Sequence, residues 1–175
     1  MFVLHVRTPL QVYLGCYILL ALLGIWFPLS SLDMKQPTLK TVALVALTSA
    51  QRSQTLAALD VEKGSEFTVK EILETSKPRK SPVGVSLPAF PQNGKLCVHS
   101  TLSCYANSNV RQAVGTSKLF LSYGKPYKPV SSSITSRWQK IVLSMAGINT
   151  TIFKGQNFKI CNLNPAGLSN IRRRI

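Results

Sequence analysis

Residues 8–32 carry no charged side chain, and within them residues 10–27 are almost entirely apolar, with Arg7 before the run and Asp33 after it. A segment like this has to leave water, because each buried methylene contributes about 0.8 kcal/mol. Three placements satisfy it. It can cross a bilayer, which takes roughly 20 apolar residues. It can serve as a secretory signal with His5 and Arg7 as the basic start, although no small-x-small cleavage site follows. Or it can form a helix buried in a protein core. Residues 1–30 are therefore set apart as an apolar N-terminal segment. A basic protein held in a membrane near residues 10–28 stands as one candidate function.

The pattern then turns helical. Pro37 suits a first helical position. Leu39, Val42, Leu44, Val45 and Leu47 cover most of a helix circumference, which predicts a helix buried nearly all round over residues 37–50. A break near Thr48 and Ser49 separates it from a second short helical stretch over residues 51–59. Residues 66–73 and 83–87 have strand texture, and the basic turn at 76–82 holds Pro78 and Pro82. Two antiparallel strands joined by a basic loop follow from that, the second ended by Pro88 and Pro91. Residues 97–106 read as a helix with Val98, Leu102 and Tyr105 on one face. Cys97 and Cys104, seven apart, would share a face as small core residues. Residues 118–123 are an extended run and 124–129 a turn. The clearest helix spans 131–146, capped by a serine among 131–133. Its expected core stripe is Ile134, Trp138, Ile141, Val142 and Met145, and Gly147 stands at C′. Residues 155–175 lack periodicity and read as an irregular basic tail.

With 175 residues, 45% of them hydrophobic, the chain suits one domain with a real core. The charge is lopsided: 21 Lys and Arg against 6 Asp and Glu, a net +15. Such an excess calls for an acidic partner, nucleic acid first and an anionic membrane surface second. The cysteines, Cys16, Cys97, Cys104 and Cys161, form no C-x-x-C pair, and only His5 and His99 could supplement them. The spacing predicts no zinc site and no disulfide framework, so reduced thiols are expected. No G-x-G-x-x-G, Walker A or G-x-S-x-G motif occurs, and no cofactor is expected.

The stretch TSAQRSQTL at residues 48–56 resembles the first-arginine box of tyrosine recombinases, in the form found in the recombinase-like proteins of eukaryotic mobile elements. Similar segments follow in order: TSKPRK at 75–80, LPAFP at 87–91 with KLCV at 95–98, LFLSYGKPYKPVS at 119–131, RW at 137–138 and AGINTTIFK at 146–154. The resemblance runs from about residue 26 to 154.

In that family a tyrosine hydroxyl attacks a DNA phosphodiester and becomes covalently linked to it. Two arginines clamp the phosphorane oxygens, since a planar guanidinium donates bidentate hydrogen bonds and stays charged. A hairpin lysine protonates the departing 5′ oxygen. The resemblance puts Arg52 at the first arginine and leaves Lys77 or Lys80 for the hairpin lysine, because relatives carry a lysine where this chain has Glu74. After Lys154 the chain departs from the family. No His-x-x-Arg occurs, and Tyr127 is the last tyrosine. Tyr105, Tyr123 and Tyr127 fall in the wrong region for the nucleophile and suit packing.

The resemblance therefore implies an α+β, mainly α fold. Residues 31–154 would be a truncated tyrosine-recombinase catalytic core with a small antiparallel hairpin or sheet. The implied function is DNA binding in the nucleus without strand cleavage of its own. Arg52, Lys77, Arg79, Lys80, Arg137 and Lys140 would meet the phosphate backbone, with a homo-oligomer on DNA as a further expectation and no metal in the site.

Overall fold

A computed structural model of the chain describes residues 9–29, 33–49, 51–61, 68–71, 83–87, 93–107 and 114–151. Its elements are α1 (Pro9–Ile25), α2 (Lys35–Ser49), α3 (Ser53–Ala58), β1 (Leu59–Val61), β2 (Thr68–Glu71), β3 (Val83–Ser86), α4 (Val98–Ala106) and α5 (Ser132–Met145). The fold is mainly helical. The expected basic turn at 76–82 and the tail at 155–175 lie outside the described residues.

Helix α2 is the centre. Residues 37–47 are all buried, and the helix packs against α3, α4 and α5. Its buried threonines are satisfied within the core, as burial requires, whereas the buried Gln36 Oε1 has no partner among the described residues. Thr38 and Thr41 donate back to the carbonyls of Met34 and Pro37, each at 2.7 Å. Near the C-terminus Thr48 and Ser49 do the same to Leu44 and Val45, at 2.8 and 2.6 Å. Hydroxyls bonded in this way compete with the helix ladder, and the helix stops at Ser49, at the break expected there.

The charge-free N-terminal run becomes α1. Cys16, Leu19, Leu23 and Trp26 join the same core cluster as α2, while Leu14, Tyr17, Ile18 and Ile25 face solvent. Among the described residues no helix is long and apolar enough to cross a membrane. The expectation that all four cysteines are reduced is corrected. Buried Cys16 is disulfide-bonded, whereas Cys97 and Cys104 carry thiols. The shared core face expected for Cys97 and Cys104 is corrected too. Cys97 is buried but sits in extended backbone before α4, and Cys104 is exposed because the buried face of α4 runs through Val98, Thr101, Leu102 and Tyr105.

The three strands form one antiparallel sheet in the order β1-β2-β3. Leu59 pairs with Glu71, and Val69 with both Val61 and Val85. The sequence placed Leu59 at the end of a helix. Instead the backbone turns extended there, with β2 on one side and the Leu119 N–H donating to the Leu59 carbonyl at 2.8 Å on the other. Partners distant in the chain overrode the local helical pattern.

Helix α5 lies across α2 and α3. Its core face is rotated from the expected stripe. Thr135, Trp138, Gln139, Val142 and Leu143 are buried, Ile134 and Ile141 are half-buried, and Met145 is 51% exposed. Hydrophobicity alone put the stripe where Met145 lies, but two polar residues, Thr135 and Gln139, belong to the buried side, where Thr135 donates back to the Ser131 carbonyl and Gln139 accepts from Ser53. No serine side chain caps the helix; Ser131 hydrogen-bonds Ser133 instead, at 2.8 Å. The C-terminus follows expectation. Gly147 takes φ +72°, and the Ile148 N–H reaches the Leu143 carbonyl at 2.9 Å, closing a Schellman turn.

Candidate nucleic-acid interface

Arg52 stands between α2 and α3, at the N-cap of α3, in extended backbone with φ −78° and ψ 158°. It is exposed. Its neighbour Ser53 donates to the Gln139 side-chain carbonyl at 2.8 Å, and Gln139 is only 2% exposed. This bond fastens the start of α3 to the middle of α5 across 86 positions of sequence. Lys140 follows Gln139 directly, and Arg137 precedes it by two. Both are exposed. Three residues apart on one helix, they share its outer surface, while Trp138, Gln139 and Val142 turn inward.

The structure therefore brings Arg52 and the α5 cations onto neighbouring elements. Lys77, Arg79 and Lys80, also expected at the site, lie outside the described residues. Among the tyrosines, Tyr105 is buried and accepts the Leu121 N–H at 3.2 Å. Tyr123 stacks on Trp138 with ring centroids 5.4 Å apart.

A nearby ion pair was not foreseen from sequence. Asp60, 7% exposed, accepts from Lys118 Nζ at 3.3 Å and from the Ser117 hydroxyl at 2.8 Å. Lys118 Nζ also lies 3.4 Å from the Ala58 carbonyl. The pair locks the chain before residue 122 onto β1, and it holds Lys118 away from a role toward a ligand. Sequence separation of 58 hid it.

Lys40 was missed too. It is fully buried, donates from Nζ to the Trp26 carbonyl at 2.7 Å, and lies 5.8 Å from the Phe27 ring centroid. Trp26 directly follows α1, so this carbonyl belongs to the set that a helix C-terminus leaves without an internal partner. A lysine there satisfies it and complements the negative end of the helix dipole. Burial pushes the Lys40 ammonium down to about 8. With no surface access, the side chain ties α1 to α2 rather than meeting a ligand.

The Ser53–Gln139 bond has a measurable contribution. Ser53→Ala leaves the buried Gln139 carbonyl without its donor, and the expected loss of stability is about 1–2 kcal/mol by urea unfolding. Ser53→Thr, which keeps the hydroxyl, should recover part of it.

Together these features define a mainly helical domain with a small antiparallel sheet, which exposes Arg52 at the α2–α3 junction and Arg137 and Lys140 on α5. Comparison with known proteins finds no matching family model, no matching curated protein and no matching solved structure.

Proposed function

We propose that this chain is a DNA-binding protein of tyrosine-recombinase descent that does not cleave strands by itself and works in the nucleus. The observation that carries the reading is the exposed Arg52 at the α2–α3 junction, fastened through Ser53 and Gln139 to a helix that turns Arg137 and Lys140 to solvent. Its support in the sequence is the TSAQRSQTL stretch around Arg52 and the net charge of +15. Guanidinium and ammonium groups held on packed helices neutralise backbone phosphates without reading bases. Binding is then sequence-independent and salt-sensitive. The absence of His-x-x-Arg and of any tyrosine after Tyr127 removes the second clamp and the nucleophile from this sequence, so the reading stops at binding. Several copies on one duplex would extend the contact.

The test is duplex affinity across a salt series. Each phosphate contact adds about 0.9 to the slope of log affinity against log salt. Arg52→Ala should lower the slope by about 1 and weaken unrelated duplexes equally. Its melting temperature should stay unchanged, since the Arg52 side chain makes no hydrogen bond or ion pair with the described residues, and the bond from the Leu56 N–H to the Arg52 carbonyl at 3.0 Å is kept by alanine. Binding that ignores salt, or an Arg52→Ala protein indistinguishable from the parent, overturns the reading.

A further inference from the structure

The charge of this chain is divided. All six acidic residues lie at or before Glu74, where six Lys and Arg balance them, so the whole excess of +15 is carried by residues 75–175. Within that half, the loop at residues 122–129 presents cations that neither the core nor an ion pair among the described residues uses. Residues 122–129 close on themselves. The Ser122 N–H donates to the Lys128 carbonyl at 2.9 Å. The Ser122 hydroxyl donates to the Pro126 carbonyl at 2.9 Å and accepts the Lys128 N–H at 3.1 Å. Leu121 and Pro129 form a β-bridge at the base. The loop stands on buried Phe120 and Leu121, and Lys125 in its turn and Lys128 beside the closing bridge are exposed.

Two contacts one residue apart on α5 join this loop to the Arg52 region. Trp138 meets Tyr123 at the start of the loop, and Gln139 meets Ser53 beside Arg52. Loop, α5 and α3 junction are thereby tied side by side, with Arg137 and Lys140 on the same two turns of α5. We infer that the loop carrying Lys125 and Lys128 is a second contact for the phosphate backbone of duplex nucleic acid, extending the surface formed by Arg52, Arg137 and Lys140.

This rests on the DNA-binding reading above and adds a separate part to it. A loop already closed by its own hydrogen bonds gives up little conformational freedom when it docks. No Asp or Glu in residues 75–175 competes with phosphate for the two ammonium groups. Lysine suits this place, because a compact point charge contacts phosphate without demanding bidentate geometry.

The experiment compares the parent, Lys125→Gln/Lys128→Gln and Arg52→Ala as full chains on two unrelated duplexes across a salt series, with melting temperatures recorded. Phosphatidylcholine–phosphatidylserine vesicles serve as the competing anionic surface. The expected result for the loop pair is a slope lowered by about 2 and roughly tenfold weaker binding at low salt on both duplexes, at unchanged melting temperature. If the loop pair matches a DNA-binding parent in slope and affinity, the loop contact is overturned and the DNA reading stands. If the loop pair weakens binding while Arg52→Ala does not, the loop contact stands and the Arg52 assignment falls. A parent that binds the vesicles and ignores DNA overturns both.

Discussion

Between about pH 8 and 10.5 the unfolding free energy of this protein is expected to rise by about 3 kcal/mol, and Lys40→Met is expected to abolish that rise. The window is the gap between the ordinary lysine value of 10.5 and the buried value of about 8, and one unit is worth about 1.4 kcal/mol. The sign follows from proton counting. In this window the unfolded chain keeps the Lys40 proton and the folded chain has lost it, so the unfolded state binds more protons and raising the pH favours folding. Below pH 8 both states are protonated and the cost of a buried ammonium is fully present. Above 10.5 both are neutral and the cost is gone, while the neutral amine still donates to the Trp26 carbonyl, 2.7 Å away. Urea unfolding at intervals of half a pH unit, on parent and variant, isolates Lys40 from every other group that titrates in the range. A parent whose stability falls through this window, or a variant that rises equally, would show that Lys40 is not the buried cation the geometry describes.

Trp138→Ala should cost about 3–5 kcal/mol, the range for deleting a buried tryptophan. That is a large part of the 5–15 kcal/mol that holds a typical domain together. Trp138 is 3% exposed and belongs to the core cluster, and its ring meets Tyr123 at 5.4 Å with 32° between planes. The loss therefore combines cavity formation with a broken aromatic contact. Trp138→Phe retains the ring contact and should lose less than half as much. Denaturant unfolding measures both. A loss below about 1 kcal/mol for the alanine variant would place α5 outside the cooperative core.

What the residues announced in advance were the features with local causes. The nearly all-round apolar pattern of residues 37–47 foretold a helix without a solvent face there, and all of those residues are buried. Gly147 foretold a left-handed helix end because it lacks a Cβ, and φ there is +72°. Val98, Leu102 and Tyr105 fall on the buried face of α4, as their spacing requires. For the candidate site, the sequence singled out Arg52, Arg137 and Lys140 as cations, and all three are exposed.

Tertiary structure decided the rest. Whether Leu59 ends a helix or starts a strand depends on β2 and Leu119, its partners on either side. Which face of α5 turns inward depends on Ser53, 86 positions away, which makes Gln139 a buried residue and releases Met145 to solvent. Lys40 is a buried cation because α1 ends beside it with a carbonyl to satisfy. Periodicity records how strongly each side chain avoids water, a property of that residue alone. A buried polar group is tolerated only when a particular partner arrives, and that partner is supplied by the packing of distant segments.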